Sequence, residues 1–188
     1  MQMKNDLRKK YKQLRKGVQS KKELDTAICL NFLQSDLYKN ADAVLCYSSL
    51  PDEISTDLII NQALADGKIL ALPVCTDSNG NMNFYIINSP AELSLGSFSV
   101  MEPNTDICVP FGTSSSPVCV VPALCFDKKG YRIGYGKGYY DKFLKKFTSV
   151  SVGLCYNGFI EDNLPCDEFD EKVDFIITQS NILNCKGG

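Results

Sequence analysis

Two apolar runs, ADAVLCYSS at positions 41–49 and KILALPVC at 68–75, flank the stretch STDLIINQALAD at 55–66. The outer runs are short, bounded by polar residues and rich in branched side chains, which marks them as buried strands. The middle stretch has helical spacing, with Ser55 or Thr56 as cap and Gly67 as stop. A strand, a helix and a second strand within so few residues leave room only for a crossover. The two strands are therefore expected to pair in parallel, and the sheet to be covered by helices.

The rest of the chain extends this unit. Met3, Leu7, Tyr11, Leu14 and Val18 form one apolar stripe of a helix over 3–18, whose other faces carry Lys4, Arg8, Lys9, Lys10, Lys12, Arg15 and Lys16. A second helix is expected over 22–34, with Leu24, Ile28 and Phe32 facing inward. DSNGN at 77–81 is a turn signal, so MNFYIINS after it reads as a strand antiparallel to its predecessor. PAELSLGSFSVMEPN reads as loop with one helical turn, and GTSSSP as a surface loop. PVCVVPALCFD reads as a central strand, SVSVGLCYN as another, and KVDFIITQS as the last. The fold class expected is α/β: one domain over residues 1–188, with an open, mostly parallel but mixed sheet flanked by helices in a Rossmann-like three-layer arrangement.

Composition removes several functions. The 188 residues contain no histidine, so Ser-His-Asp and Cys-His catalysis and histidine metal sites are excluded. Nine cysteines form no CxxC pair and mostly lie in apolar runs, which reads as reduced core residues. A net charge of −2 argues against a globally basic nucleic-acid binder, although the basic first helix keeps RNA or DNA as an alternative partner. No run reaches the roughly 18 apolar residues of a membrane span, and the charged N-terminal segment lacks an apolar signal core. A cytoplasmic protein is expected.

The chemistry concentrates in YRIGYGKGYYDKFL, residues 131–144. Gly134, Gly136 and Gly138 alternate between a strand and a helix that starts near Lys137 or Gly138. Free amides at a helix start attract anions, and glycine lets the backbone come close. Arg132 and Lys137 add positive charge. Asp141 opposes a bare phosphate, unless Mg²⁺ lies between them; alternatively, Asp141 only favours the helix start. The motif is neither a Walker loop nor a dinucleotide fingerprint, so these residues leave the nucleotide unspecified.

PALCFDKKGYRIGYGKGYYDKFL closely resembles the signature R-x-G-x-G-x-G-Y-Y-D of the 5-formyltetrahydrofolate cyclo-ligase family, through Arg132, Gly134, Gly136, Gly138, Tyr139, Tyr140 and Asp141, with Pro122, Phe126, Asp127 and Gly130 before it. The resemblance spans nearly the whole chain. Lys4 and Arg8 match a K-x-x-x-R helix, SSLPDEIST matches the segment around Glu53, Gly96 to Pro103 matches a segment ending in Glu-Pro, and Val173-Asp174 matches a V-D pair. Many members have a histidine shortly before that pair, where this chain has Phe169 and its neighbours.

What the resemblance implies is an ATP-dependent ligase that converts 5-formyltetrahydrofolate to 5,10-methenyltetrahydrofolate, with Mg²⁺ as cofactor. It implies ATP contacts from Lys4, Arg8, Arg132, Gly134, Tyr135, Gly136, Lys137, Gly138, Tyr139, Tyr140 and Asp141. Lys137 and Arg132 act in the reaction, Ser48, Glu53 and Tyr139 meet the folate, and Asp141 and Asp174 hold Mg²⁺. Of the two adjacent tyrosines, Tyr140 fits the apolar helix face. The implied partners are ATP and 5-formyltetrahydrofolate, with or without a polyglutamate tail, and neither nucleic acid nor membrane; the protein is expected to be a monomer. A non-catalytic phosphate-binding protein on the same scaffold is the competing reading.

Overall fold

A computed structural model describes residues 2–77, 79–96 and 100–186. β1 (Ala43–Leu45), α4 (Asp57–Ala65) and β2 (Ile69–Cys75) form the expected crossover, with β1 and β2 paired in parallel from Ala43↔Ile69 to Leu45↔Ala71. All three residues of β1 are buried, as a strand covered on both faces requires. Neither candidate cap makes a full capping bond. The Thr56 hydroxyl instead donates to the Tyr47 carbonyl at 2.6 Å, which fixes the start of α4 to the exit of β1. Gly67, at φ +69°, follows the helix as its stop.

Among the described residues, the main sheet has seven strands. β3 (Met82–Ile87) runs antiparallel to β2, as the turn signal predicts. β6 (Pro117–Val121) and β9 (Val150–Leu154) continue the parallel core on the other side of β1, followed by β11 (Phe175–Ile177). With β12 (Ile182–Asn184) at one edge, the order β12-β11-β9-β6-β1-β2-β3 makes β6 central. β12 (Ile182–Asn184) corrects the expectation that KVDFIITQS is the last strand. It is a three-residue, mostly exposed edge with no apolar run to announce it.

The helices α1 (Gln2–Lys16) and α2 (Lys21–Gln34) lie where the apolar stripes place them; a one-turn α3 (Asp36–Lys39) was not expected. The 90–104 segment also holds more order than expected: a 3-10 turn (Pro90–Glu92) and the antiparallel pair β4 (Leu93–Leu95) and β5 (Met101–Pro103). Its residues Ser97 to Ser99 lie outside the described ones. Seven of the nine cysteines are buried, Cys75 is partly so and Cys166 is exposed; all are free.

One departure shapes the site. PVCVVPALCFD is not a single strand. β6 stops at Val121, because Pro122 has no N–H to donate to the ladder. The chain then leaves the main sheet. β7 (Cys125–Asp127) pairs with β8 (Arg132–Ile133) and β10 (Ile160–Glu161) in a small separate sheet. This detour carries the glycine-rich segment over the end of the main sheet. It is wedged in place by Phe126, which is fully buried against Gly153 of β9. A Cβ at Gly153 would lie 2.3 Å from that ring. Gly153→Ala is therefore expected to destabilise the fold by about 1–3 kcal/mol through overpacking, read as a fall in the urea midpoint without a change in slope.

Candidate active site

From β1 the chain moves outward to β2 and β3, then returns to β6 on the opposite side of β1. This reversal opens a crevice at the carboxyl ends of β1 and β6, where open α/β sheets bind ligands. A cavity of about 330 Å³ lies there. Tyr47, Ser48, Leu50 and Glu53 enter it from the loop after β1, and Pro122 enters after β6. The segment from Arg132 to Asp141 forms one wall, and Lys4 and Arg8 of α1 reach it from above. Pro73, Cys75, Met82, Val100 and Glu102 close the remaining side.

Local structure fixes each wall. Gly136 and Gly138 take φ of +97° and +74°, and Gly138 is the residue before α5 (Tyr139–Leu144). Side chains with a Cβ avoid this region. Arg8 locks the loop from outside: its Nε donates to the Gly134 carbonyl at 3.0 Å, and its guanidinium lies about 3.2 Å from where a Gly136 Cβ would stand. Arg15, further along α1 and buried, anchors the helix by donating to the carbonyls of Asp52 (3.0 Å) and Ala123. The β2–β3 turn leans on the loop from the far side. The Tyr139 hydroxyl donates to the Asp77 carbonyl at 2.8 Å and Lys142 Nζ donates to the Asn79 carbonyl at 2.5 Å.

The four cations of the cavity are not equivalent. Lys4 Nζ donates to Asp167 (2.9 Å) and to Asp170. Burial works against its charge, but these two carboxylates outweigh it and hold its pKa above the ordinary lysine value. Arg8 holds the Gly134 carbonyl and Asn5. Arg132, whose side chain is 4% exposed, donates to Asp141 Oδ1 at 2.8 Å and to the Glu171 carbonyl at 2.5 Å. Contact with a triphosphate would fall to the N–H groups of Arg132 that these two partners leave free. Among the described residues, Lys137 has no ion-pair or hydrogen-bond partner, and it is exposed.

Glu53 is the opposite case. It is 6% exposed, and Leu50 N–H donates to its Oε2 at 2.8 Å. Burial raises its carboxyl above the ordinary glutamate value, while the Leu50 bond and the charge of Arg15 pull the other way.

Of the expected site residues, the structure brings together Lys4, Arg8, Ser48, Glu53, Arg132, Asp141 and every residue from Gly134 to Tyr140. Asp174 is the exception. It does not line the cavity; its Oδ2 accepts from Ser151 N (2.8 Å) and Oγ (3.0 Å), and Lys186 lies 3.4 Å from its other oxygen. Ser151 satisfies the carboxylate at the amino end of β9, a contact between distant segments that no local pattern announces. Tyr140 lines the cavity as well as packing against the core. Cys75, Met82, Glu102 and Asp170 are cavity residues that the sequence did not single out. Only Glu102 carried a signal, as the acid of the Glu-Pro segment.

A model of the 5-formyltetrahydrofolate cyclo-ligase family matches residues 1–179. The chain belongs to this family. A cyclo-ligase of this name from Mus musculus is 27% identical over 191 residues, covering 95% of this chain and 94% of that protein. The Escherichia coli K12 cyclo-ligase is 29% identical, covering 76% and 80%. Among solved structures, a 5,10-methenyltetrahydrofolate synthetase from Aquifex aeolicus superposes with a TM-score of 0.82 at 30% identity, over 99% of this chain and 94% of that one. A synthetase from Mycoplasma pneumoniae shares the fold, with a TM-score of 0.72 at 24% identity, over 94% and 99%. The expected family, enzyme class and α/β architecture stand with these likenesses. No described helix is long and apolar enough to cross a membrane.

Proposed function

We propose that the protein catalyses the ATP-dependent cyclisation of 5-formyltetrahydrofolate to 5,10-methenyltetrahydrofolate, with release of ADP and phosphate. The observation that carries this reading is that a free lysine on a glycine-rich, amide-presenting loop and a buried carboxylate face one shared cavity. The first suits a triphosphate; the second suits the N–H groups of an amino-pyrimidine ring. Family membership supplies the substrate class.

A formyl amide is a weak electrophile, and its oxygen leaves poorly. In the proposed reaction the formyl oxygen attacks the γ-phosphorus of ATP: an O–P bond forms, the bond to the bridging oxygen breaks, and ADP departs. The neighbouring folate nitrogen then attacks the activated formyl carbon. A C–N bond closes the ring, the C–O bond breaks with loss of phosphate, and the nitrogen's proton passes to solvent. No protein nucleophile is needed, so a chain without histidine can serve.

Lys137 neutralises charge on the transferring phosphoryl group, and the amides of the Gly134–Gly138 loop cradle its oxygens. Arg8 holds the loop and adds positive charge behind it, while Lys4, at the same cavity, is tied to Asp167 and Asp170. Glu53, with Ser48 beside it, orients the ring so that the formyl oxygen faces the phosphate. Mg²⁺ is implied by this reading, and the donor set fits an ion held mainly by phosphate oxygens. Asp141 is the loop carboxylate that would share it, and when bound the ion would neutralise phosphate charge.

The test is spectroscopic. Methenyltetrahydrofolate absorbs near the ultraviolet edge, apart from its precursor. Protein mixed with 5-formyltetrahydrofolate and Mg²⁺ is expected to build up that band only when ATP is added. Binding of both compounds with no rise in absorbance would leave the competing reading, a binding protein without turnover.

A further inference from the structure

Lys137 stands between Gly136 and Gly138, both at positive φ, and reaches the cavity with no bond on its ammonium among the described residues. Glycine leaves the backbone on either side free to turn, so nothing local fixes where this side chain points. The restraint has to come from outside the loop. On one side Arg8 supplies it, through the Gly134 carbonyl and its approach to Gly136. On the other side stands the turn between β2 and β3. Gly80 of that turn packs so close to Lys137 that a Cβ there would lie 2.7 Å from the Lys137 carbonyl oxygen. Lys142 Nζ ties the same turn to α5 by donating to the Asn79 carbonyl at 2.5 Å.

The turn is held in shape by Asp77. Its carboxylate accepts from the backbone N–H groups of Asn79 (2.8 Å) and Asn81 (3.2 Å) and from the Asn81 side-chain amide (2.6 Å). These bonds, the Asn81 side chain first, keep the carboxyl below the ordinary aspartate value, so it is an acceptor at neutral pH. The Asn81 carbonyl accepts in turn from Thr76 N–H at 3.0 Å, where the chain leaves β2. Asp77, Asn79, Gly80, Asn81 and Lys142 all lie outside the cavity lining. Whatever they do for the reaction, they do through another residue.

We propose that Asp77 is a positioning residue for phosphoryl transfer: it shapes the β2–β3 turn, and the turn, set against the Lys137 carbonyl through Gly80, keeps the Lys137 ammonium aimed into the cavity. This rests on the cyclo-ligase reading above. A displacement of about 1 Å at a reacting centre can cost about 100-fold in rate, so a cation on so free a backbone needs an outside support. β2 and β3 belong to the main sheet, which makes their hairpin a firm one. The charge of Asp77 separates two causes. Acting through its field alone, the carboxylate would oppose an anionic nucleotide, and its removal would tighten ATP binding. Acting through shape, its removal slows the reaction.

Asp77→Ala removes the acceptor that shapes the turn. At saturating ATP, Mg²⁺ and 5-formyltetrahydrofolate its kcat is expected to fall about 10- to 100-fold. Both Michaelis constants and the melting temperature should stay nearly unchanged, because Asp77 is exposed and outside the cavity. Asp77→Asn keeps a side-chain oxygen for the same N–H groups and should recover most of the rate. In a Lys137→Ala background, Asp77→Ala should cost less than about twofold, since no ammonium is left to misplace. Hydrogen exchange of the peptide spanning residues 131–144 reads the restraint without the reaction: its amides should exchange faster in Asp77→Ala and at the ordinary rate in Asp77→Asn. Full kcat in Asp77→Ala, an equal loss in the Lys137→Ala background, or unchanged exchange would each overturn the assignment and leave the cyclo-ligase reading intact. An unsubstituted protein with no ATP-dependent turnover would remove that reading and, with it, the part given to Asp77 in the reaction; the exchange comparison would then still decide whether the turn holds the loop.

Discussion

Lys137→Ala is expected to lower kcat by about 10²- to 10³-fold at saturating substrates, the usual effect of removing one preorganised donor from a site where charge develops. The geometry explains why this lysine and not its neighbours. Lys4 already holds two carboxylates, Arg8 holds the Gly134 carbonyl, and Arg132 holds Asp141 and the Glu171 carbonyl. Lys137 is the cavity cation without a partner among the described residues, so it can meet incoming charge with no bond to break first. Because it is exposed, its loss should leave the melting temperature nearly unchanged. The Michaelis constant for the folate should also stay put, since Glu53 lies outside the loop. Lys137→Arg should recover part of the rate, because charge is retained while the point geometry of an ammonium is not. The absorbance assay at saturating ATP measures the first effect and thermal unfolding the second. A Lys137→Ala variant with full kcat would show that charge on the transferring group is met elsewhere.

The contrast among the four cations also shows where the sequence was informative. The crossover at 41–75 and the alternating glycines are local patterns, in which hydrophobic period and backbone freedom are read from neighbours in the chain. The exit of β1 and the glycine loop could therefore be placed at one end of the sheet from sequence. The resemblance added which of their side chains matter. Partnership is not local. That Asp174 accepts from Ser151, 23 residues away, is not written in its neighbours in the chain. Asp167 and Asp170, which the sequence did not single out, neutralise Lys4 from 163 and 166 residues away. The end of β6 was partly legible, since Pro122 ends a ladder; that the chain then forms a second sheet with β8 and β10 depends on contacts formed only once Phe126 reaches Gly153. Helical spacing gave the side of α5 on which Tyr140 lies, but not that its oxygen would be buried without a partner.

Glu53→Gln is expected to move binding and stability in opposite directions. As a carboxylate, Glu53 can accept two N–H groups of an amino-pyrimidine ring; a glutamine turns an N–H₂ group toward one of them. Losing a charge-assisted bond and gaining a donor facing a donor should weaken folate binding by about 10²-fold, with ATP affinity unchanged. Stability should go the other way. Burial raises the folded carboxyl above its unfolded value, so the folded state binds this proton more tightly than the unfolded chain does. The free protein therefore loses stability as pH rises through the ordinary glutamate range toward the raised value, and at neutral pH it carries the full penalty of a buried charge. Glutamine removes that penalty and still accepts from Leu50 N–H, so its melting temperature at pH 7 should exceed that of the unsubstituted protein. The two should converge as the pH is lowered and Glu53 is protonated. Folate affinity of the unsubstituted protein should fall over the same acid range, because the protonated carboxyl loses an acceptor, while that of Glu53→Gln should stay flat. Parallel pH titrations of melting temperature and folate affinity in both proteins measure this. A variant that keeps folate affinity, or whose melting temperature falls at neutral pH, would mean that the buried carboxylate serves the fold and not the ligand.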